Sequence, residues 1–424
     1  MSTDSDANVK GRTMALVAAF LGWMFDGLEM GLFPLAGRPA LKELMHATGP
    51  DADKIIALWF GNIIAAFLIG AAAGGVLFGW LGDRVGRVKA MVWSVATYSI
   101  FSGLCGFVTS PWQLGGVRFI ASLGMGGEWA LGVSLISEIW PAKSRPLLSG
   151  LIGAAANVGF FSVGVISLLL LKYGSTLSER FHAPLWRLLF IAGAIPALLT
   201  FVIQIFVPES DKWKAATSSG PKPRVADIFG PGIGKFTALG ASLAGVALMG
   251  TWASVQWIPA WASRMTGGDV VKSSWTQMFA AVGAIVLPLI TALLAQRFNR
   301  KGTYAALCIL SIGICETLFL KRPPFGFTFL LLVTFANGIT GSFYGWLPLY
   351  LPELFPTRIR ATGSGFCFNF GRVFAAAGSL VSGGLLTYFK GDYARMCSVI
   401  CLIYLVGLAV IYYCPETKGK PLPE

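Results

Sequence analysis

Charge is scarce in this chain. Only 12% of its 424 residues are Asp, Glu, Lys or Arg, about half the share of a soluble domain, too little to cover a water-facing surface. Histidine is scarcer still, with His46 and His182 alone. Both fall in stretches that read as outer loops, so a proton carried through the apolar part of the chain must ride on a carboxylate. The seven cysteines (positions 105, 308, 315, 367, 397, 401 and 414) lie in or at the ends of apolar segments without metal-ligand spacing. They read as small packing residues and say little about redox compartment. No nucleotide loop, metal cluster or nucleophile–base arrangement is visible, so no enzymatic chemistry, cofactor or metal is expected. The leading MSTDSDANVK carries no charged-then-apolar signal with a small-residue cleavage site, so the first apolar segment reads as retained.

Apolar sequence is what the chain has. Hydrophobic residues make up 55%, mean hydropathy is +0.68, and apolar runs recur that can each cross a ~30 Å hydrocarbon core as a helix. The 52 glycines suit that medium, because small residues let membrane helices approach closely. The expected fold class is an all-α membrane protein of twelve transmembrane helices. They lie near 11–37, 55–81, 88–108, 111–140, 146–171, 185–207, 235–262, 273–297, 302–320, 325–352, 359–388 and 393–414. With the amino terminus inside, nineteen of the 33 Lys and Arg face the cytoplasm, twelve lie in outer loops, and Arg118 and Arg372 fall within spans. That bias places both termini in the cytoplasm. It also accounts for much of the net charge of +13, so no nucleic-acid partner is needed.

The chain repeats itself. The turn after the second span reads GWLGDRVGRVK and the turn after the eighth reads ALLAQRFNRKG, with Arg297 and Arg300 where the first has Arg84 and Arg87. EIWPAKSRPLLSG (138–150) and ELFPTRIRATGSG (353–365) share Glu, Pro, Arg, Ser and Gly at a constant offset of 215 residues. The expected organisation is two pseudo-symmetric six-helix halves, 1–207 and 235–424, joined by a polar linker at 208–234. Parallel halves suit a transporter with a midplane site opened alternately to each side.

The motif G-x-x-x-D-R-x-G-R at 79–87, the paired E-x-x-P-x-x-x-R turns, PES at 208–210 and PETKG at 415–419 together resemble the major facilitator superfamily. DGLE at 26–29 and GMGGEW at 124–129 look like its branch of proton symporters for organic acids, including sialate, lactate and aromatic-acid carriers; the sugar porters share the PES and PETKG marks. Gln296 and Asn299 depart from the pattern, standing where the first half has Asp83 and Gly86, which weakens any gating role there. The resemblance implies that Asp83, Arg84, Arg87, Glu138, Arg145, Glu353 and Arg360 bridge the halves when the inside is closed.

Charges kept inside spans are costly and point to use. Five stand out: Asp26, Glu29, Arg118, Glu128 and Arg372. Asp26 and Glu29 share one helical face, and Arg118 on the fourth span falls at a comparable depth. Proton-coupled sugar porters pair an acid of the first span with an arginine of the fourth, and that resemblance points to Asp26 with Arg118; a static bridge is the alternative. Glu128 lies ten residues beyond Arg118, near the midplane, where a neutral acid is tolerable; it reads as a proton site or a packing acid. These four are the expected proton-coupling residues. Arg372 is expected to meet an anionic substrate through its planar fork, with Asn369 one turn away. Gln256, Trp252, Asn157, Asn337 and Tyr344 are candidate cavity residues, for which helix packing is an equal reading.

The function expected is symport of a small organic acid with protons, as a monomer in a bacterial inner membrane. A proton-coupled or facilitative sugar porter is the near alternative. A nutrient sensor is the more distant one, since sensors of that type add long cytoplasmic extensions and only about ten residues follow the last span.

Overall fold

A computed structural model describes residues 2–46, 52–141, 143–218 and 223–423. Part of the expected linker, 219–222, therefore lies outside the described residues. The first half holds α1 (Ser2–Leu44), α2 (Ala52–Val85), α3 (Arg87–Leu104), α4 (Pro111–Ile139), α5 (Arg145–Phe181), α6 (Leu185–Ala192) and α7 (Ala197–Phe206). The linker carries α8 (Asp211–Ser218). The second half holds α9 (Gly234–Trp252), α10 (Ile258–Met265), α11 (Val270–Arg297), α12 (Arg300–Lys321), α13 (Phe327–Gly341), α14 (Phe343–Tyr350), α15 (Arg360–Tyr388), α16 (Tyr393–Cys401) and α17 (Ile403–Tyr413).

Eleven helical stretches among the described residues are long and apolar enough to cross a membrane. The sixth expected span, 185–207, is instead divided into α6 and α7 at Gly193–Pro196, where proline supplies no N–H to continue the ladder. Local chemistry sets other boundaries. Ser110 accepts from the Gln113 N–H ahead of α4, with Pro111 in the first turn, and Asp269 and Asn299 cap α11 and α12 in the same way. Gly86 turns α2 into α3 at φ 113°, and a Cβ there would meet Glu209 Oε2 at 2.3 Å, so only glycine fits.

The halves meet along α2 against α15 and α5 against α11. Within the first half α1 crosses α5 so closely that a Cβ on Gly27 would lie 2.0 Å from the Ala156 carbonyl oxygen. The seventh expected span is broken: α9 ends at Trp252, a 3-10 turn runs over Val255–Trp257, and α10 follows. Irregular backbone at membrane depth is tolerated where it borders a cavity, and this break borders one.

Candidate functional site

Trp252 and Gln256, at the broken helix, line a cavity of about 50 Å³ together with Asn157, Tyr344, Phe368 and Arg372. A wider cavity of about 480 Å³ shares Met30, Phe160, Trp252 and Gln256 with it, and adds Ser263, Ser273 and Gln277. A third, of about 20 Å³, lies among Asn157, Gln256, Gln277 and Asn337. The three form one system, since their walls share residues.

Arg372 is buried, and its Nη1 has no hydrogen-bond partner among the described residues. Its guanidinium carbon lies 5.5 Å from the centre of the Phe368 ring. Phe368 stacks on Trp129 with ring centroids 3.9 Å apart and meets Trp23 and Tyr344 edge-on at 5.8 and 6.2 Å. One phenyl ring thus ties α1, α4 and α14 to α15 at the base of the cavity. Asp26 is fully buried with both carboxyl oxygens unpartnered among the described residues, within electrostatic range of Glu128 and Arg372. Glu128 is unpartnered too, pressed against α1 where a Cβ on Gly22 would lie 1.3 Å from its Oε1. Asp26 thus lies within electrostatic range of a second acid and of a guanidinium, without a direct hydrogen bond to either among the described residues.

The Asp26–Arg118 pair expected from the sequence is not formed. Arg118 pairs with Glu29, one turn further along α1, and Ser102 donates to the same carboxyl oxygen at 2.9 Å. Phe33 and Phe67 each lie 4.7 Å from the Arg118 guanidinium carbon and Phe190 lies 5.9 Å away. This ring cage meets the guanidinium at the level of Glu29, while Asp26 sits a turn away along α1, in electrostatic range of Glu128 and Arg372.

At the end where the repeated turns lie, the bundle is sealed. Arg87 pairs with Asp83 on its own turn, donates from Nη2 to Glu138 at 2.9 Å, and reaches the Thr357 carbonyl of the other half at 2.9 Å. Glu138 also accepts from Arg360 Nη1 at 3.1 Å, so one carboxylate holds an arginine from each half. Asp83 accepts from the N–H groups of Ala361 at 3.2 Å and Thr362 at 2.7 Å and from the Thr362 hydroxyl, capping α15 across the interface. Arg360 Nη2 donates to Pro423 at 2.8 Å, which brings the carboxy-terminal tail onto the seal. In the second half Arg300 donates to Glu353 from Nη2 at 3.0 Å and from Nε at 3.2 Å. Arg145 stands in electrostatic range of Glu353, with its Nε unpartnered. Arg84 takes no part: it is exposed and lies over the Trp80 ring at 5.1 Å.

A family model described as Major Facilitator Superfamily matches residues 15–379. The chain belongs to that superfamily. It is a multi-pass integral membrane transporter and not an enzyme. Among relatives, it is 29% identical to the cis,cis-muconate transport protein of Acinetobacter baylyi, over 88% of each chain. It is 26% identical to the gentisate transporter of Corynebacterium glutamicum, over 96% of this chain and 90% of that one. Among solved structures, the proton:xylose symporter XylE bound to 6-bromo-6-deoxy-D-glucose superposes with a TM-score of 0.83, covering 98% of both chains at 18% identity.

In this facilitator the substrate-site candidates separate into two groups. Arg372, Gln256, Trp252, Asn157 and Tyr344 line the central cavity, and Asn337 lines the small one beside it. Asn369 is placed differently: its amide donates to the carbonyls of Gly126 and Gly365, both at 3.0 Å, and fixes α15 against α4. Helix rotation explains this, since one turn from Arg372 the same face meets the glycine-lined surface of α2 and α4. Sequence reasoning missed Phe368, Gln277, Arg300 and Thr362. Arg300 had a signal in the duplicated turn. Phe368, one of 31 phenylalanines, had none. Glu316 was also passed over: it lies inside the span of α12, where Ser398 donates to it at 2.6 Å.

Proposed function

We propose that this facilitator couples the inward movement of a small organic anion to protons, as a monomer in a bacterial inner membrane with both termini in the cytoplasm. The observation that carries the reading is the unpartnered Nη1 of Arg372 at the cavity wall, beside an Asp26 whose oxygens are also unpartnered. A buried guanidinium favours a carboxylate partner, and its fork offers two parallel hydrogen bonds. Asp26 and an arriving carboxylate then compete for one cation. The site stays neutral when Asp26 takes up a proton as the substrate docks, and releases it when the substrate leaves. Glu128, next to Asp26 and facing no hydrogen-bond partner, carries a proton at rest and relays it. The seal formed by Asp83, Arg87, Glu138 and Arg360 closes the cytoplasmic end in the arrangement seen, and its rupture opens that side. Glu29 and Arg118 hold α1 to α4 while this happens. The names of the two curated relatives, muconate and gentisate carriers, support an acidic cargo.

Purified protein in liposomes with acid outside tests this, using labelled gentisate, cis,cis-muconate and a neutral pentose. At least one of the two acids should accumulate and lose the gradient-driven part when a protonophore is added. Arg372→Lys keeps the charge but not the fork, and should lower acid affinity about 10- to 100-fold. Asp26→Asn should retain counterflow exchange and lose accumulation. Accumulation of the pentose, unchanged by Arg372→Lys, would establish a sugar porter instead.

A further inference from the structure

The small cavity beside the central one is walled by four carboxamides from four separate segments. Asn157 comes from α5, Gln256 from the helix break, Gln277 from α11 and Asn337 from α13. Asn157 Nδ2 donates to the Ala284 carbonyl at 3.2 Å and Asn337 Nδ2 to the Val333 carbonyl at 3.1 Å. Those bonds turn each amide nitrogen toward backbone and leave each amide oxygen free to accept. No hydrogen bond engages the side chains of Gln256 and Gln277 among the described residues, so each still offers a donor and an acceptor. Asn157 and Gln256 also line the cavity that holds Arg372, so the two volumes share a wall.

We infer that this carboxamide cluster is a second subsite, which reads a neutral hydroxyl or carbonyl group on the substrate at a point remote from its carboxylate. The inference rests on the anion reading given above and narrows it. Two features of the small cavity select the group. At about 20 Å³ it holds one water-sized group and no more. Among the described residues its wall contains no Lys, Arg or His, so a second carboxylate there would lack a compensating cation. A hydroxyl both donates to an amide oxygen and accepts from an amide nitrogen, and this wall offers both. The cargo class is therefore a hydroxy- or oxo-monocarboxylate rather than a dicarboxylate.

The test is calorimetric binding to the purified full chain with three matched probes: benzoate, meta-hydroxybenzoate and isophthalate. The hydroxyl should tighten binding about five- to tenfold over benzoate, the gain of one net hydrogen bond, and isophthalate should bind more weakly than benzoate. In Gln277→Leu, similar in size and without the amide, the ratio of hydroxybenzoate to benzoate affinity should fall to near one. Asn337→Leu should act in the same direction. If the parent binds none of the three acids, the anion reading fails and this inference with it. If the parent binds acids but isophthalate is preferred, or the hydroxyl preference persists in both variants, the subsite alone is overturned.

Discussion

Arg118 and Arg372 are the mid-span guanidiniums of the two halves, and their surroundings differ in kind. Arg118 has a direct carboxylate partner in Glu29, which Ser102 also holds, and a cage of three phenyl rings, with its Nε unpartnered among the described residues. Arg372 has one ring, a carboxylate without a direct bond, and a free Nη1. A guanidinium that already holds a carboxylate acts as a strut. One that holds none is a receptor for the carboxylate that completes it. Alternating access needs both, since a helix pair that carries the load cannot also release its ion pair in every cycle.

The largest effect should come from breaking the strut. Glu29→Gln leaves Arg118 buried without a counter-charge, a loss of roughly 3–5 kcal/mol. Asp26→Asn breaks no direct hydrogen bond and should destabilise much less. Thermal unfolding of both variants in one detergent measures the difference. Equal losses would mean that the two arginines are held alike, and would remove the distinction.

The seals differ in the same sense. Glu138 joins arginines from both halves, whereas Glu353 binds Arg300 of its own half and Thr417, with Arg145 alongside. Glu138→Gln should therefore loosen the closed end more than Glu353→Gln does, by about 1.5–3 kcal/mol for a charged hydrogen bond lost across the interface. A cysteine placed at Ser137, labelled with a membrane-impermeant maleimide, reports the opening. Faster labelling in the Glu353 variant would reverse the assignment of the main latch.

How much of this was legible beforehand follows from the same residues. The seal was readable because it occurs twice in the sequence, at one offset, with a charge pattern that loops do not repeat by chance. The partner of Arg118 was not readable. Asp26 and Glu29 differ by about 60° and ~4.5 Å on one helix, and only the rings of Phe33, Phe67 and Phe190 decide between them. Asn369 was misplaced for a related reason, because proximity in sequence to Arg372 does not fix which face of α15 meets glycine. The break at Ser254–Trp257 carries no glycine, and its only proline, Pro259, lies beyond it, so a hydropathy pattern runs through it without a signal. The cavity that depends on that break was therefore visible only as scattered polar residues.

The smallest effect expected separates Glu209 from Glu416, the acids of PES and PETKG. Each reaches the start of a helix in its own half. Glu209 accepts from the Arg87 and Val88 N–H groups at 2.9 and 3.1 Å, and Glu416 from those of Arg300 and Lys301 at 3.0 and 3.1 Å. Burial dominates at Glu209 and pushes its carboxyl up, against the backbone donors Ser210, Val88 and Arg87. Burial acts upward at Glu416 as well, but there the N–H groups of Lys418, Arg300, Lys301 and Thr417 outweigh it and hold the carboxyl below its usual value. The linkage signs are opposite. Glu416 is a weaker proton acceptor folded than unfolded, so its contribution is present above the unfolded value of about 4.3 and is lost as pH falls through the folded value. Glu209 binds its proton more tightly when folded, so its contribution is present below about 4.3 and is lost as pH rises through the folded value. Melting curves collected from pH 3.5 upward should show Glu416→Gln flattening the acid limb, and Glu209→Gln flattening the decline just above it. Both variants altering the same limb would mean that the two motifs cap their helices in one electrostatic state, and the contrast between the halves would stop at the arginines.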